Sequence, residues 1–219
     1  MAHRTNPTLT EEEKLWRLGY AVIGVDEVGM GPLAGPVIAV AVMIRAKTTK
    51  EIEDLAALGV RDSKMLSEKK RERIFEVLTT HPLVAWGHGS VDEKTVDEIN
   101  VLQSGLQAMR QAVAHLCAER KGAEDKRLFL CVDGTRIIPD IIADQRAIIA
   151  GDAKVFSIAC ASVIAKVLRD RIMNDYAKQY PEYGFEKHKG YGTKMHFEMI
   201  SKYGPCPIHR RSFLKNTPL

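Results

Sequence analysis

The stretch Val22-Ile23-Gly24-Val25-Asp26-Glu27-Val28-Gly29-Met30-Gly31-Pro32-Leu33-Ala34-Gly35-Pro36-Val37-Ile38-Ala39-Val40-Ala41-Val42 decides the fold. It reads as a strand, an acidic pair, a glycine-rich turn and a second strand. The run before Asp26 is short, apolar and rich in β-branched residues, which suits a buried strand. After Pro36 the run through Ile44 is β-branched again and lacks helical spacing. Two carboxylates thus stand where a buried strand opens into a loop, and burying adjacent carboxylates is costly unless a cation neutralises them. Asp and Gly are also ordinary turn residues, so this junction alone equally admits a turn-forming Asp26 and a solvated Glu27. The spacing Gly29-x-Gly31-x-x-x-Gly35, followed by a strand, fails the dinucleotide-loop test of G-x-G-x-x-G opening a helix. A glycine-rich turn still lets backbone N–H groups approach a phosphate closely.

Outward from this hairpin the chain alternates strands and helices. Residues 1–19 read as a frayed lead-in with a short helix at Thr10–Leu18. Arg61 to Ser67 is a polar loop, and Ser67 is placed to cap a helix through Thr79 with Ile74, Phe75 and Leu78 on its apolar face. Leu83–Val91 alternates as a third strand. A long helix is expected from Asp92 or Thr95 to Ala118, because Ile99, Leu102, Leu106, Met109, Val113 and Leu116 fall at three–four spacing as a core stripe. Gly122 to Lys126 is a charged turn. Leu128–Asp133 is a fourth strand ending on an aspartate before Gly134, and Gln145–Ala150 a short fifth ending at Gly151-Asp152. Helices follow at Ser157–Tyr176, with Ala159, Ala161 and Ala165 allowing close packing on the sheet, and at Thr193–Tyr203, ended by Gly204-Pro205. The pattern is that of an α/β domain with a mixed sheet.

The chain has 219 residues, 45% hydrophobic and 27% charged, an ordinary globular composition long enough for a proper core. Net charge is +4, yet from Gly184 onward seven Lys or Arg face two Glu. A basic tail on a near-neutral body suggests an anionic partner, although a charge run is also a common solvated surface. Cys117, Cys131, Cys160 and Cys206 form no C-x-x-C pair and read as small core residues of a reducing compartment. The polar N-terminus has no signal-type apolar core, and the acids, prolines and glycines after Ala21 exclude a membrane span there. The expectation is a soluble cytoplasmic protein.

Asp26, Glu27, Asp133 and Asp152 each close a strand-like run beside a glycine or a loop. If the first and fourth strands are parallel neighbours, Asp26 and Asp133 emerge side by side at the carboxyl ends, where open α/β sheets put their sites. Converging hard oxygen ligands suit Mg²⁺ or Mn²⁺ rather than zinc, and three or four carboxylates can hold two such ions for phosphodiester hydrolysis. Asp-Gly is a standard turn pair and Asp152 also suits a cap, so the coincidence of several sites carries the reading.

The chain resembles bacterial ribonuclease HII from about Val22 to Phe213. The matching stretches include Asp26-Glu27-Val28-Gly29-x-Gly31-Pro32-Leu33, Asp62-Ser63-Lys64-x-Leu66-Ser67, Glu98-Ile99-Asn100 and Val132-Asp133-Gly134. They continue through Gly151-Asp152-Ala153, Ala161 to Val167 with Arg169-Asp170, His188-Lys189-Gly190-Tyr191-Gly192-Thr193, and Pro207 to Phe213. The resemblance implies a ribonuclease H-like fold: a five-stranded mixed sheet flanked by helices, with a small helical C-terminal extension. The implied division is a lead-in (1–19), a catalytic domain (20–180) and a basic helical segment packed on it (181–219). It also implies a metal-dependent endonuclease that cuts RNA in RNA–DNA hybrids and cuts 5′ of ribonucleotides embedded in duplex DNA, leaving 3′-hydroxyl and 5′-phosphate ends.

The family's metal-binding carboxylates map onto Asp26, Glu27 and Asp133, with Asp152 as the fourth acid, holding two Mg²⁺ or Mn²⁺ ions. Asp170 also belongs to the family pattern, and on a helix beside Arg169 and Arg171 it reads better as a structural ion pair. Tyr191 matches the tyrosine that the family sets beside the sugar at the ribonucleotide junction. Substrate contacts are assigned to Gly29, Met30, Gly31, Ser63, Lys64 and Tyr191, with Lys187, Lys189, Arg210 and Arg211 as further candidate phosphate contacts. His188, His196 and His209 are expected to pack or pair rather than bind metal. One position departs: the family's first turn carries Gly-Arg-Gly, and here the middle residue is Met30, which lacks the arginine's fork of donors. Ribonuclease HIII, the nearest rival, carries an extra N-terminal domain for which the roughly twenty residues before the first strand leave no room. A binding module that had lost catalysis is expected to have lost acids, and all four are present. The partners expected are nucleic acid and no membrane, with the chain acting as a monomer.

Overall fold

The computed structural model describes residues 6–46, 48–118 and 127–215. Five strands, β1 (Ala21–Val28), β2 (Val37–Ile44), β3 (Val84–Val91), β4 (Leu128–Asp133) and β5 (Asp144–Ile148), form one sheet in the order β3-β2-β1-β4-β5. β1, β2 and β3 run antiparallel to their neighbours as a meander, whereas β4 and β5 lie parallel on the other edge of β1. The sheet is therefore mixed, as the sequence leads one to expect.

Helices are α1 (Thr10–Arg17), α2 (Glu53–Ala57), α3 (Glu68–Thr80), α4 (Glu93–Ile99), α5 (Val101–Ala118), α6 (Phe156–Gln179), α7 (Phe185–His188), α8 (Lys194–Tyr203) and α9 (Arg211–Leu214). Every residue of β2 is buried, because both faces of the sheet are covered. Ile38, Val40, Val42 and Ile44 pack against α3 and α6, and Val37, Ala39, Ala41 and Met43 against α5. The alternation follows from the period of two in a strand. Close approach of α6 to β1 needs a bare backbone at Gly24, where a Cβ would lie 2.3 Å from the carbonyl carbon of Ser157.

The helix expected from Asp92 or Thr95 to Ala118 is two helices. Asn100, at φ 67°, ends α4, and its Oδ1 accepts from the Gln103 amide at 3.1 Å to cap α5. Asparagine tolerates a positive φ and makes a strong N-cap, so one residue both stops and restarts the helix. The expected core stripe holds at Met109, Val113 and Leu116, which are buried, with Leu106 packed against them, but not at its start. Leu102 is 36% exposed, and Ser104, Gly105, Ala108 and Ala112 widen the buried face of α5.

The lead-in helix forms over Thr10–Arg17 and is anchored rather than frayed. Glu12, fully buried, accepts from the Ser157 amide at 2.7 Å and so caps α6, while Thr8 exchanges backbone hydrogen bonds with Lys154 and Phe156. The charged turn expected at Gly122–Lys126 lies outside the described residues. Beyond α6, residues 181–215 fold back so that Tyr183, Phe185, Ile200, Cys206, Ile208 and Leu214 pack on Ala34 and Met173. No helix among the described residues is long and apolar enough to cross a membrane.

Candidate active site

β1 and β4 pair in parallel up to Val25 opposite Val132, so Asp26 and Asp133 occupy the next, neighbouring positions. Adjacent strands lie about 4.8 Å apart, and equivalent positions point to one face of the sheet. That face is the α6 face: Gly24 lies against Ser157 and Ile158, and Ser162 of α6 lines the same cavity as Asp26, its hydroxyl hydrogen-bonded to that of Ser63 at 3.1 Å. Glu27, one residue on, turns toward α5. Asp152 arrives on the turn after β5, and the Gly151 amide donates to Asp133 Oδ1 at 2.6 Å, tying that turn to β4. All four acids line one cavity of about 530 Å³, together with Gly29, Met30, Gly31, Ser63, Lys64, Ser162, Lys166 and Tyr191.

The cavity is short of positive charge. Burial first, then repulsion from Glu27 and Asp133, pushes the Asp26 carboxyl well above the ordinary carboxylate range. Burial and the Asp133 charge push Glu27 up to about 7, with Lys64 opposing. Asp152 is raised by burial, then by Asp133 and Asp62. Glu27 Oε2 is buried without a hydrogen-bond partner. As they stand the acids do not form a closed shell: among the described residues no three acidic, histidine or cysteine side chains are already gathered tightly enough to ligate one ion.

A profile of the ribonuclease HII family matches residues 23–216. The chain belongs to the ribonuclease HII family. The ribonuclease HII of Caldicellulosiruptor bescii is 50% identical over 206 residues, which is 94% of this chain and 92% of the relative. That of Clostridioides difficile is 49% identical over 199 residues, 90% of this chain and 72% of the relative. The crystal structure of the ribonuclease H2 from Pyrococcus horikoshii OT3 matches with a TM-score of 0.63 at 29% identity, covering 87% of this chain and 92% of that one. The fold is thus ribonuclease H-like, and the protein is a type HII ribonuclease H, a phosphodiester hydrolase of the endonuclease class.

Within this ribonuclease H framework one basic residue stands elsewhere than expected. Arg210, read from the sequence as a phosphate contact, is fully buried and unavailable to nucleic acid. Its guanidinium donates to the carbonyls of Gly29, Met30, Pro32 and Gly35. Arg169, equally buried, donates to Ala34, Pro36 and Lys189. Two guanidiniums thus gather the carbonyls of the glycine-rich turn inward, the fork geometry suiting several acceptors at once. Burial lowers Arg210 to about 10, with Arg169 as the next cause, so it keeps its charge at neutral pH. Gly29 sits at φ +97°, and a Cβ there would lie 2.5 Å from Arg169 Nε. Lys187 and Arg211 are exposed, and Lys189 donates to the Glu186 carbonyl; none of the three lines the cavity.

Asp170 makes an ion pair, but with Lys166 at 2.6 Å and Arg71 at 3.6 Å rather than with its sequence neighbours. Arg71 in turn donates to the carbonyls of Ser63 and Leu66, which holds the Ser63–Lys64 loop at the cavity rim. Ser162 and Lys166 are cavity residues that the sequence reading passed over. Their signal was there: Ser162, Lys166 and Asp170 recur every four residues and so share one helix face. His188, His196 and His209 pack against each other and against Phe185, as expected.

Proposed function

We propose that the enzyme hydrolyses the RNA strand of RNA–DNA hybrids and cuts 5′ of ribonucleotides embedded in duplex DNA, giving 3′-hydroxyl and 5′-phosphate ends. The observation that carries this reading is the set Asp26, Glu27, Asp133 and Asp152 around one cavity with an unpartnered buried carboxylate oxygen on Glu27. Carboxylates raised by burial and mutual repulsion are the donor set that a hard divalent cation relieves. These four residues would hold two Mg²⁺ or Mn²⁺ ions, which when bound supply activation of a water and stabilisation of the departing 3′ oxygen.

The remaining roles belong to side chains and backbone. Amides of the turn at Gly29 and Gly31 are assigned to the phosphate and 2′-hydroxyl at the junction, with Met30 between them. Ser63 and Lys64, at the rim, meet the scissile strand. Tyr191, 40% exposed at the cavity mouth, packs on the sugar, and donors reaching the 2′-hydroxyl there tell RNA from DNA. Lys187, Lys189 and Arg211 add phosphate contacts further out, which gives binding a salt dependence. Asp170 acts through Arg71 and Lys166 and touches no substrate. The enzyme works as a cytoplasmic monomer.

The test is cleavage of a DNA duplex carrying one ribonucleotide and of a longer hybrid, each with Mg²⁺, Mn²⁺ or a chelator. Expected are 5′-phosphate products with either metal and none with chelator. Cleavage that persists in chelator overturns the metal assignment, and no cleavage of either substrate overturns the activity.

A further inference from the structure

Behind Tyr191 lies a chain of three buried imidazoles whose shortest hydrogen bonds favour one protonation pattern. The Cys206 amide donates to His209 Nδ1 at 2.9 Å, nearer than the Cys206 Sγ at 3.1 Å or the Cys206 carbonyl at 3.3 Å, and an amide has only a hydrogen to offer, so this nitrogen is assigned as the acceptor. A neutral His209 then carries its proton on Nε2, which faces His196 Nε2 at 3.0 Å. His196 Nε2 must accept, so its proton is on Nδ1, 2.9 Å from the carbonyl oxygen of Tyr191. His188, stacked on His196 at 4.3 Å between ring centroids, is fixed in the same way. Its Nδ1 accepts from the Gly190 amide, and its Nε2 donates to the Tyr183 carbonyl. Which nitrogen of a histidine carries the proton is set by the partner of the other, and here a backbone amide or carbonyl beside each ring sets it.

The segment this chain reaches is held by local backbone hydrogen bonds, among them the Thr193 amide to the Tyr191 carbonyl at 2.8 Å, and by donors from elsewhere in the fold. Lys189 and Gly190 are both left-handed, at φ 50° and 85°. Three consecutive carbonyls each have a donor from a different part of the fold: Arg169 for Lys189, the Leu33 amide for Gly190, and His196 for Tyr191.

We propose that His196, held in its Nδ1–H tautomer by the Nε2–H of His209, is a positioning residue that sets where the Tyr191 ring stands at the cavity mouth. The role rests on the reading of Tyr191 as the residue packed on the ribonucleotide sugar. His196 touches no substrate and acts through a backbone carbonyl; removing its donor leaves the Tyr191 carbonyl with the Thr193 amide alone and lets the segment shift.

Two measurements test it. Long-range ¹H–¹⁵N NMR on the unaltered protein with labelled histidine, at pH 7, should show His196 protonated on Nδ1, and His209 and His188 on Nε2. A proton on His196 Nε2, or fast exchange between its tautomers, overturns the proposal whatever any variant does. The second measurement is kinetic, on duplex DNA with one ribonucleotide. His196→Gln, which places its amide at the level of Nε2, should raise KM about tenfold with kcat changed less, while His196→Asn, which keeps a donor at the level of Nδ1, should restore most of the loss. In a Tyr191→Ala background His196→Gln should add nothing. If Tyr191→Ala alone leaves ribonucleotide cleavage intact, the reading of Tyr191 fails. If Tyr191→Ala is impaired but His196→Gln matches the parent, or the two losses multiply, the positioning role fails and the reading of Tyr191 stands.

Discussion

Arg210 Nη2 donates to the carbonyl oxygens of Gly29 and Gly35, each at 2.6 Å, from the opposite end of the chain. The turn that follows the acidic pair is thus shaped by a residue near the C-terminus, and a charge that reads as a nucleic-acid contact is a structural one. Arg210→Met should destabilise the protein by about 3–5 kcal/mol, because several buried carbonyls lose their donor at once. Arg211→Ala, on an exposed side chain, should leave stability within about 0.5 kcal/mol and reduce the salt slope of hybrid binding by about one. Denaturant melts and binding titrations at several salt concentrations separate the two. Equal stability losses would show that Arg210 is not the keystone its hydrogen bonds imply.

Glu27 gives a test that does not depend on turnover. Its carboxyl is pushed up to about 7 in the folded chain from an ordinary 4.5, mainly by burial. Between these values the folded state keeps a proton that the unfolded chain has released. Stability without metal should therefore fall as pH rises from about 4.5 to about 7, with the full penalty above that. Glu27→Gln should accordingly be more stable than the parent in chelator at pH 8, by about 1–3 kcal/mol. Added Mg²⁺ should stabilise the parent more than the variant. A Glu27→Gln protein that melts below the parent in chelator would count against an uncompensated charge at this position. Asp133→Asn should lose cleavage while keeping hybrid binding within a few-fold, the outcome that separates a nuclease from a pure binder.

The histidine chain carries the opposite sign. Burial lowers His196 and His209 to about 4 each, with the neighbouring histidines, and Arg211 for His209, adding to it. The unfolded chain binds protons near 6.5 that the folded chain refuses, so stability falls as pH drops from about 6.5 to about 4 and levels off below. The ceiling is about 3 kcal/mol per ring. Since the raised acids pull the other way over part of this range, the measurement is the difference between the parent and His209→Gln, which keeps a donor near Nε2 but does not titrate. That difference should shift in favour of the variant as pH falls through the window. A constant difference would mean that the rings are already charged or are solvated in the folded protein.

Much of this was legible in the chain because it was written locally. The β-branched runs on either side of Asp26 announce strands, and the acids that close β1 and β4 become neighbours as soon as those strands pair in parallel. Thr193 and Ser67 announce helix starts and are found as caps, accepting from His196 and Lys70. What escaped was set by distant partners. Arg210 reads as basic surface until the carbonyls of residues 29–35 are folded around it, and Glu12 reads as part of a loose end until the Ser157 amide needs an acceptor. Asn100 hid within an apolar periodicity that ran through it. Its capping chemistry outweighed the three–four spacing that suggested one continuous helix.

Met30 stands at the middle of the first turn, and its surroundings say what a substitution does there. Its carbonyl is held by Arg210 at 3.3 Å, so the backbone of the turn does not depend on the side chain. The thioether lies over Gly105 of α5, and the side chain lines both the acidic cavity and a smaller one of about 150 Å³ bounded by Leu102, Gly105, Leu106 and Met109. Met30→Arg would set a guanidinium beside Glu27 and Asp133, where positive charge is scarce, with its fork free to reach a phosphate or a 2′-hydroxyl. The stem can keep the apolar seat while the head reaches the cavity. We therefore expect Met30→Arg to raise kcat/KM on duplex DNA with one ribonucleotide by about tenfold, the effect of one added charge-assisted contact of about 1.4 kcal/mol, with a smaller gain on a long hybrid, where neighbouring ribonucleotides already supply contacts. Kinetics on both substrates for both proteins decide it. No gain on the single-ribonucleotide duplex, or an equal gain on both, would show that recognition in this enzyme does not run through the middle residue of the turn.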